Sequence, residues 1–382
     1  MDNKINFQVD MNSNSDIKIQ REIKPLTSLR LIAAYAVLVV HFRPIIFLLF
    51  PSLSAIDNFF LAGRKGVDFF FILSGFIIWF NYRDIFIKKW KYKLIIKFFV
   101  YRIARLLPVN ILATFLSLPI LILIHTHFNN FGAPIEDWYN VNYFIATLLM
   151  IQEFFSPYII YMWNQPTYTI GAELLMYILV PLIVMIFSKV IKFSTFSRSL
   201  FISIVVSLLI PICDLYNIVY YPFGWLLRLL IEFVSGILFC IAYFHGIKRN
   251  NTIFKYLHYL LPVIILVLIF LNFNFGVLIP FIGVWIFSLA VTESYLTKIL
   301  SNKILLLGGY ISYSMYMLHW VFIGILGLCT IEWPFLKARV YLLPLFILTN
   351  ILIFVCSWLC WKYYEEPSRI LIRNMYKKYI AK

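Results

Sequence analysis

Between Leu29 and Pro44 the chain reads LRLIAAYAVLVVHFRP, a run apolar enough for a bilayer except at Arg30, His41 and Arg43. An ionisable group at the bilayer centre costs about 3 kcal/mol or more, so each one in such a run is a candidate for function. Eleven residues advance a helix by three turns plus about 20°, which puts Arg30 and His41 on one face, about 16 Å apart. An imidazole moves protons near neutral pH, and a guanidinium fork suits phosphate oxygens. The spacing points to two stations on one pathway, with Pro44 bending the helix beside the second.

Other ionisable residues fall in apolar runs. Arg228 and Glu232 stand four apart and can pair within one helix, a structural ion pair. Asp68 lies near the start of its run, where it can cap the helix and pair with Arg64 or Lys65. Glu173 stands alone in a fourth run. His319 ends the stripe YISYSMYMLHW (310–320), whose tyrosines and serines can line a wet cavity; a satisfied core histidine is the competing reading. His125 and His127 have no third ligand at metal spacing and read as a solvated loop, so no metal is implied. Residues 82–108 carry eight cations against one acid, Asp84. Within them Arg102 and Arg105 share a helical face where a span begins, a geometry suited to anchoring a phosphorylated ligand.

The elements that must hold these groups are helices in a membrane. The 382 residues are 62% hydrophobic and only 13% charged, which excludes a soluble fold. The net charge of +16 then reflects topology and contact with anionic lipid, not nucleic acid. Apolar runs near 27–49, 66–82, 106–124, 168–188, 199–215, 224–244, 259–275, 276–292, 307–328 and 340–361 predict an all-α polytopic bundle of about ten transmembrane helices. With both termini cytoplasmic, 27 of the 33 Lys and Arg fall on the inner side. Residues 1–25 read as a polar disordered tail, 26–361 as the membrane domain and 362–382 as a basic cytoplasmic tail. A long outer segment, 125–167, carries Glu136 and Asp137; its apolar part, 143–162, reads as re-entrant or interfacial. The five cysteines are scattered and read as packing residues.

With those residues in place, the chain resembles the acyltransferase-3 family of integral membrane O-acyltransferases, which modify bacterial envelope carbohydrates. The resemblance rests on LTSLRLIAAYAVLVVHF with Arg30 and His41, GVDFFFILSGFII (66–78), YRIARLLP (101–108) and YTIGAELLMYILVP (168–181) with Glu173. RLLIEFVSGILF (228–239), GGYISYSMYMLHW (308–320) and the closing EEPSR (365–369) follow in order. Tyr168 departs from the family's usual tryptophan, which bears on the acceptor end of the cavity.

The resemblance implies an acyl-CoA co-substrate, most often acetyl-CoA, entering from the cytoplasmic membrane's inner face, with no permanently bound cofactor. It implies an acceptor hydroxyl on an envelope carbohydrate or glycolipid at the outer face. Arg30, Arg102 and Arg105 would hold the CoA phosphates. His41 would act as general base, or carry the acyl group itself, and Glu173 would orient or charge-stabilise the imidazole. Ser74, Tyr168, Tyr310, Ser312, Tyr313 and His319 are the expected contacts to thioester and sugar; Asp68, Arg228 and Glu232 are expected to be structural. The competing class is a transporter or flippase for a lipid-linked sugar or small solute.

Overall fold

The structure is a computed structural model and describes residues 22–88, 92–127, 141–154, 163–187, 195–246 and 252–379. It is all-helical, with no strand among the described residues. In chain order the long helices are α1 (Lys24–Leu49), α2 (Lys65–Lys88), α3 (Tyr92–His127), α4 (Thr167–Ile186) and α5 (Phe196–Ser207). They are followed by α6 (Gly224–Gly246), α7 (Thr252–Phe270), α8 (Leu278–Val291), α9 (Lys303–Glu332), α10 (Arg339–Cys360) and α11 (Glu366–Tyr379). Among the described residues, eight helical stretches are long and apolar enough to cross a membrane. The shorter α8 and the more charged α2 occupy the two remaining apolar runs of the sequence.

Local chemistry sets several boundaries. The side chains of Thr195 and Asn302 accept from backbone N–H groups of the first turns of α5 and α9, relieving donors that a helix start leaves unpaired. Asn272, at φ 63°, turns the chain between α7 and α8. Asn274 then accepts from Gly276 N at 2.8 Å and starts the next turn. Leu208 interrupts α5, and Leu209–Leu215 continues it as a separate short helix.

In three stretches the structure shows helix beyond the apolar runs of the sequence. The basic stretch after Tyr82 is largely helix: α2 runs to Lys88 and α3 starts at Tyr92, because Lys and Arg are good helix formers even where hydropathy falls. The α3 backbone continues to His127, so His125 and His127 end a helix, not a loop; their side chains, Glu136 and Asp137 lie outside the described residues. The stretch expected as a basic tail is α11, joined to α10 by a π turn over Trp361–Glu365. Residues 1–21 of the expected polar tail, and 155–162 of the outer apolar stretch, lie outside the described residues. The described part of that outer stretch holds a short helix, Val141–Leu148, and a 3-10 turn, Gln152–Phe154. Asn110 of α3 pins the short helix by donating to Thr147 O at 2.8 Å.

Glycines let the central helices touch. A Cβ at Gly75 would lie 2.0 Å from Phe233 O, and one at Gly236 would lie 1.9 Å from Ile72 O. Only a missing side chain at both places allows α2 and α6 this approach, which replaces hydrophobic driving force with close van der Waals contact. Around this pair sits the main buried cluster, including Phe76, Trp79, Tyr177, Phe233 and Phe239. Large apolar side chains such as Leu260, Val263, Val267, Leu348, Ile351 and Val355 face outward, as a lipid-bathed surface requires.

Candidate functional site

Five helices surround one cavity of about 720 Å³, counting its open mouth. Helix α1 contributes Arg30, α2 contributes Ser74, and α3 contributes Arg102 and Arg105. Thr169 and Glu173 come from α4; Ser312, Tyr313 and Tyr316 come from α9. The rest of the wall is apolar, with Phe70, Phe71, Leu73 and Ile77 among the lining residues. Polar residues face inward at helical spacing: Arg102 with Arg105, and Thr169 with Glu173.

Glu173 is held from two sides. The Ser74 hydroxyl donates to its Oε1 at 2.8 Å, and the Tyr177 hydroxyl donates to the same oxygen from one turn further along α4. Arg102 is buried, donates from Nη2 to the Tyr82 hydroxyl at 2.7 Å, and lies 4.8 Å from the centre of that ring. Tyr313 donates to Leu106 O at 2.6 Å, tying α9 to α3 beside the arginines. Thr169 donates to Pro166 O at 2.9 Å, which leaves its oxygen to accept from the Tyr316 hydroxyl 3.0 Å away.

Of the residues expected at the site, Arg30, Ser74, Arg102, Arg105, Glu173, Ser312 and Tyr313 meet at this cavity. The others do not line it. His41 lies further along α1, half-buried, with its ring centroid 5.2 Å from His319 and 5.3 Å from Trp320. His319 is fully buried and donates from Nδ1 to Tyr316 O at 2.6 Å, which leaves Nε2 as the lone-pair nitrogen. Its ring centroid is 5.8 Å from that of Tyr316, so Tyr316, His319 and His41 form a file of rings leading away from the cavity. Tyr168 packs edge-on to Trp225. Tyr310 is exposed, stacked on Trp361 with its hydroxyl donating to Glu22 at 3.1 Å.

Tyr177, Tyr82 and Thr169 are site residues that sequence reasoning missed, whereas Tyr316 lies in the tyrosine and serine stripe expected to line a cavity. A signal existed for Tyr177, four residues after Glu173 on one helix face; Tyr82 offered none before the fold was known.

Asp68, Arg228 and Glu232 belong to a separate cluster. Arg228 Nε donates to Asp68 and to Glu232, each at 3.1 Å, and Nη1 donates to Asp214 at 2.8 Å. Lys65 adds a contact to Asp68 at 3.4 Å. One guanidinium thereby ties α2, the Leu209–Leu215 helix and α6 together. In the 3-10 turn Gln152–Phe154, Glu153 is buried, and neither carboxyl oxygen has a hydrogen-bond partner among the described residues. Burial pushes its carboxyl up from 4.5 to about 8.

Residues 24–362 match the family model described as an acyltransferase domain, the acyltransferase-3 family. The chain belongs to the acyltransferase-3 family. Neither the curated proteins nor the solved structures contain a significant match to it. Membership and the apolar helices together make this a multi-pass membrane protein and an acyltransferase. The match begins at Lys24 and so takes in Arg30 and His41 of α1. It ends at Lys362, inside the π turn, leaving α11 beyond the matched residues of this acyltransferase-3 chain.

Proposed function

We propose that the protein moves an acyl group, acetyl in the first instance, from a cytoplasmic acyl-CoA to a hydroxyl of a cell-envelope carbohydrate on the outer face of the cytoplasmic membrane. The observation that carries this reading is the cavity itself: three arginines and one carboxylate around a space otherwise apolar on much of its wall. Ser74 and Tyr177 both donate to Oε1 of Glu173, and Arg30 and Arg105 face the cavity with no hydrogen-bonded carboxylate among the described residues. Partly buried guanidinium groups without carboxylates favour an anionic ligand, and a diphosphate is the anion that best fits several forks at once.

In this reading the arginines hold the diphosphate while the pantetheine arm runs along the apolar wall towards Tyr316. The acceptor hydroxyl approaches His41 from the opposite side. His41 takes the hydroxyl proton as the oxygen attacks the thioester carbonyl. The carbon–sulfur bond then breaks, the ester forms, and the departing CoA thiolate recovers a proton from the imidazolium. The Tyr316 ring stands between the cavity and the histidines, so the thioester passes it as the reaction complex forms. Ser312 and Tyr313 lie where they can contact the arm.

The test uses purified protein in detergent with isotopically labelled acetyl-CoA. Release of the CoA thiol, with label appearing as an ester on an envelope glycan fraction, is the expected result. A protein that moves a lipid-linked sugar across vesicles but neither binds nor cleaves acetyl-CoA is a transporter, and this reading then fails.

A further inference from the structure

In α11 and the turn before it, Glu365, Arg369 and Arg373 follow one another at intervals of four. Within a helix that spacing keeps residues on one face, with a drift of about 40° per step. Tyr376 secures that face to α3: it is buried, and its hydroxyl donates to Lys93 O at 2.8 Å. The facing strip of α3 carries Lys97, Tyr101, Arg102 and Arg105. The contacts run antiparallel. After Tyr376 on Lys93 comes Arg373, whose guanidinium lies 4.7 Å from the centre of the Tyr101 ring and within electrostatic range of Arg102. Next comes Arg369, within range of Arg105.

Two helices are thus docked cationic face to cationic face. Arg369 has a carboxylate on its own helix, Glu366 at 2.9 Å. Arg373 rests on Tyr101 and has no ion-paired carboxylate among the described residues. The other carboxyl at the start of this helix, Glu365, accepts from the Ser314 hydroxyl at 2.6 Å. The Nε atoms of Arg102, Arg369 and Arg373 are all buried without a hydrogen-bond partner among the described residues. Like charges and unmet donors in a partly buried seam cost stability unless an anion fills it.

We infer that the seam between α3 and α11 is a second phosphate site, continuous with the cavity through Arg102 and Arg105, and that it takes the 3′-phosphate at the nucleotide end of the acyl-CoA donor. This rests on the acyl-CoA reading above. With the thioester arm in the cavity and the diphosphate on its arginines, the donor's remaining phosphate monoester extends outward beyond Arg102 and Arg105, where Arg369 and Arg373 stand. A phosphate dianion bridging these forks would hold α11 onto α3 and close the inner mouth of the cavity.

The experiment compares acetyl-CoA with acetyl-dephospho-CoA, which lacks only the 3′-phosphate, using the full chain in detergent. The wild-type protein is expected to show a KM about tenfold or more higher for the dephospho donor. Arg369→Gln combined with Arg373→Gln is expected to raise the acetyl-CoA KM to the dephospho value while changing the dephospho KM by less than about twofold. The retained use of the dephospho donor shows that the variant is folded. Arg373→Gln alone, which breaks no ion pair, moves the preference in the same direction. Lys377→Gln with Lys378→Gln removes equal charge from exposed positions on the same helix and keeps the wild-type preference. Arginine variants that still discriminate like wild type overturn the inference and leave the acyl-CoA reading standing. Wild-type protein that uses neither donor overturns both. An arginine effect that appears only with anionic lipid added, with donor preference unchanged, assigns the seam to lipid headgroups and also overturns the inference.

Discussion

Arg30 and His41 ride on the same face of α1, yet only Arg30 lines the cavity; His41 rests against His319, 5.2 Å between ring centroids. The two stations of the helix are therefore separated by a wall, and that wall is the Tyr316 ring with His319 behind it. Donor binding and proton transfer occupy different compartments in the proposed reaction, so substitutions in each should affect different kinetic constants.

His41→Ala should lower kcat by about 10²- to 10⁴-fold, the usual contribution of a general base, while acetyl-CoA affinity stays near wild type. His319→Ala should also act on kcat, because His319 touches His41 and not the cavity. Isothermal titration of acetyl-CoA beside steady-state transfer rates separates the two constants. Full activity in His41→Ala would remove it from the mechanism.

Arg105→Ala should raise the donor KM about tenfold or more with a smaller change in kcat, because it deletes a charge-assisted contact made before the transition state. Arg102→Ala should do this and also lower the melting temperature, since Arg102 is buried and bonded to Tyr82. Measuring KM and thermal stability on both variants shows whether the split holds.

Arg228→Leu should destabilise the fold by about 3–5 kcal/mol, because it leaves Asp68, Asp214 and Glu232 facing one another with Lys65 as their one remaining cationic contact among the described residues. Arg228→Lys should recover part of this, since a single ammonium cannot reproduce the fork that serves three carboxylates. Thermal unfolding in detergent is the measurement, and an unchanged midpoint in Arg228→Leu would refute a structural role.

Glu153 predicts a pH dependence of stability. Its carboxyl titrates near 4.5 when unfolded and about 8 when folded, so between these values the folded chain holds more protons. Stability is therefore greatest below pH 4.5 as far as this group is concerned, and falls as pH rises towards 8, by up to about 1.4 kcal/mol per pH unit. Glu153→Gln should flatten the fall in melting temperature between pH 5.5 and 8. A slope identical to wild type would show that Glu153 is not the group responsible.

What the sequence determined by itself was local and periodic. The α class, the positions of the long apolar helices and the shared face of Arg102 and Arg105 follow from a fixed rotation of 100° per residue and the penalty for charge in hydrocarbon. The Arg228–Glu232 pair, one turn apart, was legible for the same reason; family resemblance joined Arg30 to the basic pair but set Glu173 beside His41, whereas Glu173 lines the cavity with the arginines and His41 does not. The tertiary structure decided everything that depends on which face meets which. Asp214 joins Arg228 from a helix fourteen residues away in sequence. Tyr168 and Tyr310 turn from the cavity while Tyr316 enters it, and the basic C-terminal residues form a helix laid along α3. Gly75 and Gly236 let α2 and α6 touch, and a π turn stands between α10 and α11. Such contacts join residues far apart along the chain, and spacing within a single helix carries no information about them.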